Sequence, residues 1–209
     1  MLESKYRKII RLTNLTHDIQ EQIFDILKSE NSDSILSKLP KKIVFQYFDF
    51  IVNSNFLELY IITHKSKLAG YAFFAKKPSY IISEFLSLKY KIFFYLIINL
   101  RFVTILNLII SILKFDKIFI NKIYIDLIEN NYNLNLLAIK NEFQSQGLGE
   151  YFLKEVLKQL QNLDDFNYIT CETFNSRAEQ FYINKCDFKK IGKKIRLFKN
   201  LSVLSLKVK

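Results

Sequence analysis

Glycine and proline are scarce, at 4 and 2 of 209 residues, and tryptophan is absent. That scarcity excludes collagen-like and linker-rich chains and most repeat architectures. Cysteine is nearly as rare: Cys171 and Cys186 are too few for a disulfide scaffold or a four-cysteine zinc site. The two histidines, His17 and His64, do not make a histidine-rich metal site, so no metal is expected. Residues 1–11 are charged and lack the apolar run and small-residue cleavage site of a secretory leader, so a cytoplasmic location is expected.

Half of the residues are hydrophobic, enough for a full core, and the length suits one domain over 1–209. Lysine and arginine number 31 against 20 acidic residues, a net charge of +11. Such an excess attracts polyanions, whether nucleic acid, an anionic membrane or a phosphorylated cofactor. It is also what an AT-biased genome dictates, in a chain rich in Lys, Asn, Ile and Phe. The positive charges are scattered, with short pairs such as Lys41-Lys42 and Lys193-Lys194. A nucleic-acid-binding arm shows a denser block, so nucleic acid is not an expected partner. Residues 92–113 are almost wholly apolar, interrupted mainly by Asn99, Arg101, Thr104, Asn107 and Ser111. That run is close to the ~20 residues a membrane-spanning helix needs.

Residues 6–12 read as a first strand. Thr16 and Asp18 offer helix-start signals, with Glu21 placed to support Asp18. Ile19, Ile23, Ile26 and Leu27 recur at helical spacing, and residues 31–34 break the helix. A second helical stretch runs from about residue 34, bends at Pro40 and ends near Val52, with Ile43, Tyr47, Phe50 and Ile51 along one side. Strands 56–63 and 68–75 flank a polar turn and form a hairpin. Residues from 77 to about 119 are helical in character and unusually apolar. A strand at 134–140, a helix at 146–163, a strand at 168–173 and a helix at 176–184 follow. Strands at 188–198 and 202–208 close the chain. The hairpin makes the sheet mixed, in an α/β (α+β) arrangement.

The most informative stretch is a buried strand, a polar turn, the run Gln144-Ser145-Gln146-Gly147-Leu148-Gly149, and an amphipathic helix. Glycines at the mouth of a helix let a ligand press on backbone N–H groups that have no partner within the helix, where the macrodipole favours anions. The spacing therefore describes a pyrophosphate cradle; tight strand–helix packing is the other use of such a pair. A dinucleotide fingerprint would need a third glycine, and a P-loop would need Gly-Lys-Ser/Thr.

This stretch resembles the central motif of the GCN5-related N-acetyltransferase (GNAT) family, Gln/Arg-x-x-Gly-x-Gly/Ala after a strand. Leu136-Leu137-Ala138-Ile139 resembles the strand that lines the pantetheine arm. Asn175, Ala178 and Tyr182 match the family's second signature, with Cys186-Asp187-Phe188 where relatives carry Gly-Phe and Cys186 in the place of a turn glycine. Lys67-Leu68-Ala69-Gly70-Tyr71-Ala72 and residues 11–18 complete the likeness, which spares only residues ~77–130. The resemblance implies a mixed sheet flanked by helices, with a hydrophobic helical insert at 77–130 between the third and fourth strands.

It also implies direct acyl transfer from acetyl-CoA to a primary amine. Leu137, Ala138 and Ile139 would bind the pantetheine arm. Gln144, Ser145, Gln146, Gly147, Leu148, Gly149 and Glu150 would form the pyrophosphate turn. Tyr182 resembles the family's general acid; a packed aromatic beside Phe181 is the alternative. Asn175 would bind the cofactor or cap the next helix, two compatible roles. Many relatives carry a glutamate base where Asn133 and Asn135 stand here. Glu172, on one face with Thr170 by strand alternation, is the candidate base, against the plainer role of a solvated or lysine-paired carboxylate. Cys171 points to the other face, which argues against a covalent cysteine mechanism.

A single span at 92–113 would separate two strands of one sheet across a bilayer, so a transmembrane helix is not expected. A helical hairpin packed on the domain, a homodimer interface, or peripheral membrane contact through 89–114 would each bury the run. The leading reading is a small-molecule N-acetyltransferase for an amino sugar or amino-acid derivative. Acetylation of protein N-termini or lysines, a membrane-surface enzyme for longer acyl chains, and a non-catalytic acyl-CoA-binding module are the alternatives.

Overall fold

The computed structural model describes residues 6–32, 34, 36–76, 78, 122–196 and 199–208. The apolar run at 92–113 and most of the insert lie outside the described residues. The elements are β1 (Arg7–Leu12), α1 (His17–Glu30), α2 (Lys41–Asn53), β2 (Leu57–His64), β3 (Lys67–Ala75), α3 (Lys122–Glu129), β4 (Tyr132–Ile139), α4 (Leu148–Leu163), β5 (Tyr168–Thr173), α5 (Ser176–Cys186), β6 (Lys189–Arg196) and β7 (Lys199–Lys207). The seven strands are ordered β1-β2-β3-β4-β5-β7-β6. β4 and β5 run parallel, while β1–β2, β5–β7 and β6–β7 are antiparallel, so the sheet is mixed as expected. By backbone contacts the chain forms two compact units, Met1–Phe74 with Asn135–Asp165, and Ala75–Leu134 with Phe166–Lys209.

In the first unit, α1 starts at Thr16 rather than Asp18. The Thr16 hydroxyl accepts from Ile19 N, while the Asp18 carboxylate is taken by Gln22 and Glu21 pairs with Lys41. Ile23, Ile26 and Leu27 are buried with Gln20, whose amide donates to Asp49 of α2 at 2.6 Å. Pro40 separates two elements instead of bending one. A 3₁₀ turn at Leu36–Lys38 stops short of it, and α2 begins just after it. The residue before a proline avoids the helical region, and proline itself supplies no N–H. Val44, Tyr47, Phe48 and Ile51 face the core, one register off the expected Ile43 and Phe50.

β2 and β3 are joined through Lys65 and Ser66, both in left-handed backbone at φ 49 and 64. That two-residue turn matches the twist of the paired strands. Residues 57–62 and 68–75 are buried at every position, so both faces of this hairpin are covered. Gly70 is where β3 meets β4: a Cβ there would lie 2.4 Å from Ala138 O and 2.5 Å from Ile139 Cδ1. Gly70→Ala should therefore push β4 away and lower Tm by roughly 4–12 °C in thermal unfolding. An unchanged Tm would show that β4 yields at no cost.

The second unit holds the parallel pair. Its register runs from Tyr132↔Ile169 to Leu134↔Cys171. Buried Asn133 donates to the Thr170 hydroxyl at 3.0 Å, which in turn donates to Tyr132 O at 3.3 Å. Beyond Cys171, β5 continues its pairing with β7 through Glu172↔Val203 and Thr173↔Ser202. Ile125 and Ile128 of α3 pack with Val203 and Ile191. Ile191 sits at a register shift between Lys190 and Gly192, where β6 carries one extra residue.

α5 ends at Cys186, which is buried, and Asp187 follows it in left-handed backbone at φ 60. The residue in the place of a turn glycine is thus Asp187 and not Cys186. Asp187→Gly should raise Tm by about 1–3 °C, because glycine takes this conformation without a Cβ penalty. A fall in Tm would assign the carboxylate a role that the backbone does not explain.

Candidate functional site

β4 leads into a 3₁₀ turn at Asn141–Phe143 and then into the motif turn before α4. Ser145 and Gly147 both adopt left-handed backbone, at φ 61 and 70. Gly147 precedes the first helical residue of α4, and no side chain caps that helix. The contrast with α1 and α5 is direct, since Thr16 and Asn175 cap those with side-chain oxygens. The first N–H groups of a 16-residue helix therefore open onto the turn at the positive end of its dipole. Nothing lies within 4 Å of where a Cβ on Gly147 would sit. Left-handed turns that aim N–H groups into one concavity suit an anion. The turn, the missing cap and the open space fit a diphosphate group.

The side chains of the motif mostly look inward or along the chain. Gln144 gives one hydrogen bond to Ile139 O at 2.8 Å and another to Glu30 Oε2 at 2.7 Å. An amide has two N–H donors, so both are spent within the protein. Gln146 donates to Glu142 O at 2.9 Å, and Glu150 accepts from Lys154 at 2.8 Å. Leu148 is buried under the helix start. Of the pantetheine-strand residues, Ala138 and Ile139 are buried and Leu137 is half-buried. Besides the exposed Ser145, what the turn offers a ligand is mainly backbone.

Glu30 is the residue of this turn that sequence reasoning missed. It ends α1, and besides Gln144 it accepts from Asn141 N at 3.2 Å. The separation of 111 and 114 residues leaves no local signal for it.

The other predicted residues lie in the second unit. Asn175 Oδ1 accepts from Arg177 N at 2.9 Å and Ala178 N at 3.2 Å, the geometry of a helix cap. Tyr182, on α5, is 8 % exposed and has ring contacts with Phe181 and Phe188. Among the described residues its hydroxyl makes no hydrogen bond. Burial, followed by the neighbouring Cys171 and Cys186, pushes this phenol well above its ordinary pKa, so it holds its proton at neutral pH.

Glu172 is paired: Lys194 Nζ lies 3.1 Å from one carboxylate oxygen and 3.3 Å from the other. Lys194 is itself buried, a strand away on β6. The structure thus displays the lysine-paired arrangement weighed above. Cys171 is buried, and burial, then Glu172 and Cys186, hold its thiol protonated. A thiolate nucleophile is not available there at neutral pH. Asn133 is committed to Thr170, and Asn135 is exposed on β4. Among the described residues no cluster of three or more His, Cys, Asp or Glu side chains could hold a metal ion. No described helix is long and apolar enough to cross a membrane.

Residues 120–208 match the acetyltransferase (GNAT) domain model. No curated protein matches the chain by sequence. Solved structures match it by fold over nearly its whole length. An alanine N-acetyltransferase of a ribosomal protein, from Escherichia coli, is 11 % identical, with 97 % of this chain and 94 % of that one covered and a TM-score of 0.57. A Bacillus subtilis acetyltransferase in complex with CoA is 14 % identical, covering 96 % and 98 %, with a TM-score of 0.53. An agmatine N-acetyltransferase is 10 % identical, covering 96 % and 100 %, with a TM-score of 0.60. Identities this low speak for the fold alone. Motif, domain match and fold agree: residues 120–208 carry the sequence pattern of the acetyltransferase (GNAT) domain, and the described chain has the fold of the acetyltransferase structures it resembles.

Proposed function

We propose that this protein is a cytoplasmic, acetyl-CoA-dependent N-acetyltransferase that acts on the primary amine of a small molecule, such as an amino sugar or amino-acid derivative. The observation that carries the reading is the uncapped start of α4 behind left-handed Gly147, with open space where its Cβ would be. The CoA bound to the Bacillus subtilis neighbour supports the choice of donor.

Acetyl-CoA supplies the thioester whose acetyl carbon the amine attacks. The N–H groups of 146–150 would hold the pyrophosphate, and the backbone of Leu137, Ala138 and Ile139 the pantetheine arm. Buried Tyr182, protonated at neutral pH, would give its phenolic proton to the departing sulfur. Asn175 would set the start of α5 and so the height of Tyr182 two turns along it. Glu172 would take the ammonium proton through a water once its hold on Lys194 loosens. The acceptor must otherwise arrive as the neutral amine.

The test is a screen of purified protein with acetyl-CoA against pools of small amines, following free thiol release. Peptides with free N-termini and internal lysines belong in the same screen. Turnover on small amines is the expected result. Turnover confined to peptides would replace the acceptor class. CoA binding with no turnover on any pool would leave an acyl-CoA-binding module.

A further inference from the structure

We infer that Glu30 is a positioning residue for the donor-binding turn, acting through Gln144 from the last residue of α1; this rests on the cradle reading above. Most ties within the turn are local. Phe143 N donates to Lys140 O, Gln144 N to Asn141 O, and the Gln146 amide to Glu142 O. Gln144 also reaches back five residues to Ile139 O. Among the described residues, the hydrogen bonds that bind 141–147 to a distant element both end on Glu30, at 3.2 Å from Asn141 N and 2.7 Å from Gln144 Nε2. The other long-range support is an edge-on contact of Phe143 with His64, at 5.6 Å between ring centres.

The chemistry of Glu30 runs against the plainer role of a helix surface carboxylate. A negative charge at the last helical position opposes the macrodipole. A carboxylate beside an anion-binding turn also repels its ligand. Among the described residues no basic partner offsets that charge, and its other contact there is the Ser29 hydroxyl at 3.1 Å. What the residue gains there is two charge-assisted hydrogen bonds, the stronger kind. The same helix end is fastened to β3, where the Tyr71 hydroxyl donates to Asn31 Oδ1 at 3.1 Å. Glu30 thus ties the turn to a fixed point of the first unit. By spending one Gln144 hydrogen, it keeps that side chain out of the space above Gly147. The role is preorganisation: the turn is held in its binding shape before the ligand comes.

Calorimetric titration of the full chain with CoA tests this on Glu30→Ala, Gln144→Ala, the double variant and Glu30→Gln. Each alanine variant is expected to weaken CoA binding roughly 5- to 20-fold. The double variant should lose less than the sum of the two single losses, because both remove the Glu30–Gln144 bond, while each also removes one of its own, to Asn141 N or to Ile139 O. Glu30→Gln keeps one acceptor oxygen and should recover part of the affinity. With acetyl-CoA as donor, KM should rise while kcat stays within about twofold. A lower Tm for Glu30→Ala with CoA affinity unchanged would reduce Glu30 to a helix-end residue and overturn the inference. So would additive losses in the double variant. Should Glu30→Ala fail to fold, Glu30→Gln and Gln144→Ala carry the same test. Failure of the cradle reading has its own signature, CoA affinity untouched by substitution at Gly147.

Discussion

Tyr182→Phe is expected to keep its affinity for acetyl-CoA and to lose turnover by about 10²–10⁴-fold, the usual worth of a positioned general acid. The substitution is unusually clean here. Among the described residues the hydroxyl has no hydrogen-bond partner, so removing it breaks no bond among them. Phenylalanine retains the ring contacts with Phe181 and Phe188. Loss of a hydroxyl with no partner among the described residues should leave Tm unchanged or slightly raised. The variant thus separates the two roles weighed for this residue: a packing aromatic predicts full activity, a proton donor predicts its loss. The pH profile gives a second reading. Burial, with Cys171 and Cys186 adding to it, raises the phenol above its ordinary value. The protonated, active form then persists past that value, so no alkaline decline due to Tyr182 should appear below about pH 10. A normal rate for Tyr182→Phe, or an alkaline limb near neutrality that vanishes with it, would give the acid role to another group.

What the sequence disclosed follows from how local each constraint is. The motif turn was legible because a glycine before an amphipathic helix reports a backbone need, and Gly147 does sit at φ 70. Asn175 was legible because a side-chain cap reaches only two or three residues ahead. Tyr182 was singled out by the likeness of Asn175, Ala178 and Tyr182 to the family's second signature, and it is buried on α5. Boundaries one or two residues out explain the small errors. Placing the end of α5 at 184 assigned the turn position to Cys186, where the backbone puts Asp187. Thr16 and Asp18 both read as helix starts because both are good caps, and only the chain's direction of entry decides for Thr16. Long-range partners left no trace. The hold of Glu30 on Gln144, of Asn133 on Thr170 and of Lys194 on Glu172 joins residues 22 to 114 positions apart. For Glu172 the alternation of β5 carries no sign of the ammonium waiting on β6.

Substitution at Gly147 should have the second large effect, and two variants divide its causes. Valine is β-branched and resists a φ of 70, so Gly147→Val must distort the turn that enters α4. Asparagine tolerates left-handed backbone, and the space beside Gly147 is open in the protein itself. Gly147→Asn should therefore fold with a Tm within about 2–4 °C of the parent, a strain near 1 kcal/mol. Its side chain would nonetheless stand where the diphosphate is proposed to lie. CoA affinity is expected to fall at least about tenfold for asparagine, the equivalent of ~1.4 kcal/mol. For valine, which loses both the space and the N–H geometry, the fall should reach about a hundredfold or more. Calorimetric titration with CoA, beside thermal unfolding of each variant, reads both quantities. A folded Gly147→Asn that binds CoA as the parent does would show the open space to be incidental. The uncapped start of α4 would then need another explanation than an anion.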